Sequence, residues 1–382
     1  MDEVVRYTYR LRPGRTAETA LLAEWGRCRW LWNEAVHQYR SGQKPTFAKL
    51  GKLLTEARAK LPWLRGGSQV AQQQTLRDYA QSLDHSFKMK GRGRPKAKSR
   101  KRSLPSLEYT MRGFSIRDRR LILPKGVTVP VVWSRELPSQ ATSVRVYQDS
   151  LGHWYGSFVV RRAVPAYPRG EGRIGIDWGV STTATTTDPS FDLPYLGHRK
   201  RCAAELAKAQ RKMARRHRKG RPQSRGYCEA KRQAARLAKK AARQTVHDSR
   251  AWAKRVVDGH DLIAVEDFKP TFLAKSTMAR KAADAAIGVT KRELIERATR
   301  AGRKVVMIRP AYTTMTCSRC LARTKRLELH ERNFRCDSCG FADGRDRNAA
   351  RVVLAVAERG HVGVEDVRQS DHLLRVDGSV AV

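Results

Sequence analysis

The sequence predicts a mixed α/β protein of more than one domain. Three observations carry that prediction. Short β-prone runs bounded by Pro and Gly crowd residues 105–162, apolar strands alternate with helical stretches from Arg173 to Leu354, and the motif C-x2-C-x15-C-x2-C stands before the last helical stretch. A chain of 382 residues has room for two or three domains, and 40% hydrophobic residues can form sizeable cores.

Lys and Arg number 78 against 36 Asp and Glu, a net charge of +42. Such a chain repels itself unless a polyanion covers it. Nucleic acid is the default partner, and an ordinary small-metabolite enzyme is disfavoured. No run of about eighteen apolar residues occurs, so no membrane helix is expected. The segment MDEVVRYTYR has no apolar stretch of the kind a cleaved signal needs, and seven cysteines, an odd number, fit a reducing cytoplasm.

From the N-terminus, Val4–Leu11 reads as a strand. From Thr16 to about Arg40 apolar residues recur at helical spacing (Leu21, Leu22, Trp25, Cys28, Trp32, Ala35, Val36, Tyr39), the core stripe of an amphipathic helix. A second helix follows Gly66-Gly67, from Ser68 to Met89. Lys88 to Arg102 then holds nine basic residues and no acid, which reads as a phosphate-contacting linker. Leu121–Leu123, Val127–Trp133, Ser143–Tyr147 and His153–Val160 are short strands, the last two flanking a turn at Asp149-Ser150-Leu151-Gly152. Strands at this spacing suggest a small barrel.

Arg173–Gly179 is a buried-strand pattern ending in a carboxylate, and Thr182–Thr187 returns antiparallel. Residues 199–255 read as two helices broken at Lys219–Pro222, with 21 Lys or Arg against three acids, so one face is expected to be densely positive. Leu262–Val265 is a strand covered on both faces. A helix near 290–301, a strand at Lys304–Ile308 and a helix from Asp346 complete the order. The tail from about Gly360 has no periodicity and is expected to be disordered.

Two sets of residues carry chemistry. Cys317, Cys320, Cys336 and Cys339 have the spacing of a zinc ribbon, each pair able to sit on one tight turn with its thiolates aimed at a single tetrahedral ion. Asp177, Glu266 and Asp346 stand at element ends, where α/β sheets collect functional residues. Pairing with arginine would satisfy them. Coordination of Mg²⁺ is the other reading, since hard cations take carboxylate oxygens.

The segments IGIDWGVSTT, AVEDF and GRDRNAA resemble the three RuvC motifs of the TnpB family, transposon-encoded relatives of type V CRISPR effectors. YRLRP…CRWLWNEAV, LILPKG…WYGSFVV, MARRHRKG…VHDSRAWAKRVV and RPAYTTMTCSRC extend the resemblance over most of the chain. It implies a wedge β-barrel (1–12 and 103–165), an inserted helical recognition lobe (13–102), an RNase H-like (RuvC) nuclease core (166–310 and 343–360), a zinc ribbon (311–342) and a disordered tail (361–382). It further implies an RNA-guided DNA endonuclease that takes a transposon-derived noncoding guide RNA, reads a short motif beside its double-stranded target and cuts with Mg²⁺. Asp177, Glu266 and Asp346 match the family's catalytic acids, and the four cysteines match its structural zinc ligands. The basic stretches would contact the RNA and heteroduplex backbone through Lys88, Arg92, Arg94, Arg100, Lys101, Arg102, Arg211, Arg215, Arg216 and Arg218.

Two positions depart from the pattern. Gly344 stands where the last motif usually has an aspartate, with Asp343 one position early, and Trp178 replaces an aliphatic residue. A nuclease-inactive, RNA-guided repressor would be expected to lose acids of the triad, and all three are present. IGID also opens the phosphate loop of actin-like and sugar-kinase ATPases, but the later glycine motifs of that class are missing. A non-enzymatic zinc-ribbon DNA-binding protein would leave the strand-end acids unexplained.

Overall fold

A computed structural model of the chain describes residues 2–100, 102–164, 171–269, 276–325, 327–328 and 330–367. It divides into two compact units, 1–164 and 165–382. No helix among the described residues is long and apolar enough to cross a membrane.

The first unit begins with strand β1 (Asp2–Leu11), then helices α1 (Arg15–Arg40), α2 (Phe47–Lys60), α3 (Pro62–Arg65) and α4 (Gln69–Lys88). Strands β2 (Ser106–Thr110), β3 (Ser115–Arg117), β4 (Arg120–Leu123), β5 (Val127–Val132), β6 (Ser143–Gln148) and β7 (Trp154–Ala163) follow. They form one antiparallel sheet in the order β2-β6-β7-β1-β5-β4-β3. The β6–β7 turn is held by Asp149, whose Oδ1 accepts from the backbone N–H of Leu151 and His153 at 2.8 and 2.9 Å. The expected barrel is not closed: β2 and β3 are the sheet's edges, and no ladder joins them among the described residues.

The stripe on α1 is core, as its spacing predicts. Leu21, Trp25 and Cys28 pack on the sheet, while Leu31, Trp32, Ala35 and Val36 pack with α2 and α4. Within the expected linker at 88–102, residues 96–98 are tied down on α1. Trp32 Nε1 donates to Lys96 O at 2.9 Å, and Asn33 exchanges two hydrogen bonds with the Lys98 backbone at 2.7 and 3.0 Å. Lys98 Nζ lies 3.4 Å from the Trp32 ring centroid, and burial lowers its pKa. Polar side chains on α1 thus supply the main-chain partners that a basic run cannot supply for itself.

The second unit runs β8 (Gly172–Trp178), β9 (Thr182–Thr186), β10 (Leu193–Pro194), α5 (His198–Arg201), α6 (Ala203–Arg216), α7 (Arg225–Gly259), β11 (His260–Glu266), α8 (Ala279–Ala285), α9 (Ile287–Arg300), β12 (Lys304–Ile308), β13 (Asn333–Arg335), β14 (Ala342–Gly344) and α10 (Arg345–Glu358). Its main sheet has the order β10-β9-β8-β11-β12. Strands β8, β11 and β12 are parallel, β9 runs antiparallel to β8, and β10 antiparallel to β9.

Strand alternation sorts the two faces of this sheet. Ile174, Ile176, Ile263 and Val265 pack with Trp252, Val256 and Val257 of α7 and Leu294 of α9. Ala264 lies in the other core, with Val352, Val353 and Val356 of α10. Gly175 lets α10 approach β8: a Cβ there would stand 2.0 Å from Ala350 O. The tail expected to be disordered from residue 361 is packed through 367. Val364 and Val367 are buried beside α10, and Asp366 pairs with Arg309 at 2.5 Å. Residues 368–382 of that tail lie outside the described residues.

Candidate active site and metal centre

Register brings the first two acids together. Ile263, Ala264 and Val265 of β11 lie beside Ile174, Gly175 and Ile176 of β8, so the next residues, Glu266 and Asp177, end adjacent parallel strands on the α10 side. Both are buried, and each carboxyl bears on the other's titration. Burial, then the charges of Glu266 and Asp346, push the Asp177 pKa well above the usual carboxylate range. Burial likewise raises Glu266 to about 7, against the Thr313 hydroxyl, Asp177 and the Lys291 charge, which lower it. Two desolvated carboxyls this close share a proton when no cation is present.

Asp346, half-buried, opens α10 above this pair. Three neighbours hold its turn of helix. Arg345 N donates to Arg332 O at 2.7 Å, and its Nη1 to Glu328 O at 3.0 Å. Arg347 forms a fork on Asp192 at 3.1 and 2.7 Å and also donates to Thr186 O. Asn348, fully buried, donates to Thr316 O at 2.7 Å and accepts from Ser318 N at 2.9 Å. The Asp346 carboxylate faces Arg345 at 3.6 Å and Arg332 at 4.0 Å. It does not close on the other two acids to the spacing of a single-ion cluster, which only the cysteines reach among the described residues.

The four cysteine Sγ atoms lie within 4.8 Å of one another. Cys317–Cys339 are 3.7 Å apart and Cys320–Cys336 3.6 Å, and none is in a disulfide. Zinc–sulfur bonds of about 2.3 Å give a tetrahedron edge of about 3.8 Å, so the quartet fits that ion. The two turns match: Leu321 N bonds Cys317 O and Gly340 N bonds Cys336 O, both at 3.0 Å, with φ of 58° and 69°. Leu321 accepts that left-handed backbone while its side chain packs beside α10. Although burial pushes the Cys336 thiol up, the backbone N–H groups of Cys339 and Ser338 bring it to about 7. His330, between the two cysteine pairs in the chain, is exposed.

Comparison with known proteins decides the family. Residues 156–276 match the family model OrfB_IS605, described as "Probable transposase", and residues 290–353 match "Cas12f1-like, TNB domain". A Streptomyces pristinaespiralis protein, named for an inferred RNA-guided DNA endonuclease activity, is 30% identical over 369 residues, 93% of this chain and 90% of the relative. The chain belongs to the TnpB family. InsQ of Escherichia coli K12, named for the same inferred activity, is 26% identical over 93% of this chain and 92% of its own. The protein chain in a cryo-EM structure of a Cas12f1–sgRNA–target DNA complex shares the fold, with a TM-score of 0.51 at 13% identity over 92% of this chain and 98% of that one.

Both departures from the TnpB pattern have a physical account. Trp178 is buried against Trp252, and its indole N–H donates to Glu266 O at 3.2 Å, tying β8 to β11 beside the acids. Asp343 pairs with Arg351 at 2.9 Å and accepts from Gly344 N at 2.7 Å, so it does not cap α10. Gly344 is the N-cap, with φ −61° and ψ 134°, and a Cβ there would meet only Arg347 Cβ at 3.9 Å. Gly344→Ser is therefore expected to stabilise the protein by about 0.5–1 kcal/mol, through a cap hydrogen bond and a less flexible unfolded chain. Thermal melts should read this as a Tm rise of about 1–4 °C.

The basic candidates scatter. Lys88 pairs with Asp84, Arg92 with His85, and Arg94 stacks on Phe87 while donating to Ser86 O. Arg100 and Arg102 are exposed, and Lys101 lies outside the described residues. Arg211, Arg215, Arg216 and Arg218 are all exposed. The cations of α6 (Lys208, Arg211, Lys212, Arg215 and Arg216) fall on one broad face of the helix, whose single buried residue is Ala209. A groove of about 640 Å³ between α6 and α7 is lined by Lys208, Lys212, Arg216, Arg232 and Arg236 together with Glu205 and Glu229, and of its cations Arg216 alone is among the sequence candidates. The four-residue spacing of Lys208, Lys212 and Arg216, which keeps them on one helix face, is the signal in the sequence.

Proposed function

We propose that the chain is an RNA-guided DNA endonuclease whose second unit is an RNase H-like (RuvC) nuclease core. The observation that carries this reading is the meeting of Asp177 and Glu266 at the carboxyl ends of adjacent parallel strands, beneath the helix that bears Asp346. A first strand that leads an antiparallel β8-β9-β10 meander on one side and lies parallel to β11 and β12 on the other supports the RNase H-like assignment. Family membership supports the guided activity, and the charge of +42 supports a large polyanionic partner.

Asp177, Glu266 and Asp346 are assigned as the catalytic acids. Their hard oxygen donors, two of them desolvated and sharing a proton, fit Mg²⁺. Bound there, Mg²⁺ would supply Lewis-acid chemistry for phosphodiester hydrolysis. To receive it, Asp177 and Glu266 release their shared proton. Thr313, whose hydroxyl lies 3.2 Å from Glu266 Oε1, holds that carboxylate in place. Lys291, anchored on Asp267 at 2.8 Å, keeps a positive charge beside the site. Asp346, more exposed, faces the side from which DNA arrives.

The open sheet of the first unit is assigned as the wedge (1–12 and 103–165) and its helices as the recognition lobe (13–102), which read the short flanking motif. Residues 311–342 form the zinc ribbon. Metal analysis of protein purified without chelator should give about one zinc per chain, falling to none when Cys317 and Cys336 are both replaced by Ser. The α6–α7 groove carries nucleic-acid backbone. Changing Lys212, Arg216 and Arg232 to Ala should flatten the salt dependence of RNA binding by roughly 2–3 units of log–log slope and weaken all sequences alike.

The deciding experiment changes the guide segment of the RNA with the protein untouched. Cleavage of DNA carrying the flanking motif should move to the newly paired site and require Mg²⁺. Cutting that stays at the old site, or proceeds without RNA, would replace this reading with a DNA-reading nuclease.

A further inference from the structure

The stretch from Thr313 to Ser318 touches both halves of the carboxylate site on its way into the ribbon. Thr313 is fully buried against Glu266. Three residues on, the Thr316 carbonyl and the Ser318 amide flank Cys317, and both are bonded by the one Asn348 side chain. Asn348 lies two residues beyond Asp346 and uses both ends of its amide, an N–H toward one side of the cysteine and the C=O toward the other. Among the described residues these two are the hydrogen bonds of that side chain, and at zero exposure no water replaces them. The backbone beside a candidate metal ligand is therefore clamped to the helical turn that carries the third acid.

We propose that Asn348 is a positioning residue that transmits the order of the cysteine ribbon to Asp346. With a metal ion on the four thiolates, residues 316–318 are fixed, and the clamp holds the first turn of α10 over Asp177 and Glu266. When the thiolates are released, the partners of Asn348 move and the turn frays. The helix has no side-chain cap of its own at Gly344 to resist this. This inference rests on the assignment of Asp346 as a catalytic acid.

The test crosses two perturbations in the full chain: zinc loaded or stripped by chelator, and Asn348 intact or changed to Ala. Two readouts are taken. One is the Mg²⁺ concentration that gives half-maximal guided cleavage. The other is amide exchange at residues 345–350 in protein without nucleic acid. Stripping zinc from the wild type should raise the Mg²⁺ requirement about tenfold, the usual size for loss of an outer partner of a metal ligand, and speed exchange in that turn. Asn348→Ala should show both effects with zinc still bound, and stripping it should then add less than twofold.

Effects that multiply independently, or a zinc-loaded Asn348→Ala protein that matches the wild type, would overturn the proposal. Asn348→Asp keeps the acceptor for Ser318 N and loses the donor to Thr316 O, and it is read in place of the Ala variant should that one fail to fold. Should both variants lose zinc, the stripped wild type decides, and an unchanged exchange rate at 345–350 overturns the proposal. Failure of the nuclease assignment looks different: no Mg²⁺-dependent cutting in any of the four states, with the exchange comparison still deciding the role of Asn348.

Discussion

Asp177→Ala, Glu266→Ala and Asp346→Ala should each lower guided DNA cleavage by about 10³-fold or more, the scale of losing several kcal/mol of metal-borne transition-state stabilisation. Guide-RNA binding should persist, because the acids lie away from the α6–α7 groove residues. Single-turnover cleavage beside a filter-binding assay checks both halves. Two of three variants cutting at normal rates would remove these residues from the site. The same acids should be a burden in protein without Mg²⁺. Glu266 has a folded-state pKa of about 7 against an ordinary 4.5. Between those values the folded chain holds a proton that the unfolded chain has released, so stability should fall as pH rises through that window. Melts in Mg²⁺-free buffer at pH 5 and pH 8 should show the loss, and Glu266→Gln should reduce it, the buried Asp177 carboxyl supplying the remainder.

Gly175→Ala should be nearly as damaging, through packing alone. The added methyl would stand 2.0 Å from Ala350 O and 2.9 Å from Leu354 Cβ, both on α10. A backbone carbonyl within a helix cannot swing aside as a side-chain tip can, so the helix must lift from the sheet. Overpacking of this kind costs about 3 kcal/mol or more, a fall in Tm of roughly 6–12 °C. Because the displaced helix carries Asp346, cleavage should collapse even where the variant stays folded at low temperature. Normal melting and normal cutting together would show that α10 does not sit against β8.

Much of this arrangement was legible because it follows from local period. Alternation in IGID places Gly175 and Asp177 on one face, and the apolar run before Glu266 marks a strand covered on both sides. The cysteine quartet was readable from spacing alone. Other features needed tertiary contacts. The helix Phe47–Lys60 and the strand Ser106–Thr110 carry weak patterns, with Leu50, Leu54 and Ala57 the only buried residues on the former. The binding of residues 96–98 to α1 runs through main-chain groups, which composition does not reveal. Thr313 and Lys291 are ordinary residues by sequence, and only the folded chain brings them to Glu266. The tail was misjudged for a related reason, since Val364 and Val367 have no period yet fill a gap beside α10.

The ribbon lies in the chain between the strand that bears Glu266 and the helix that bears Asp346, and this has a consequence for biosynthesis. Eighty residues separate those two acids. At about 5–20 residues per second, translation leaves the sheet waiting roughly 4–16 s for its last acid. During that interval the nascent chain already exposes its positive hairpin, α6 and α7, and can gather RNA. With the acids assigned as proposed, the cutting centre cannot be assembled until the cysteines have emerged and the final helix has followed them out of the ribosome. On that assignment, a chain released early, anywhere before Asp346, would bind nucleic acid without the means to break it.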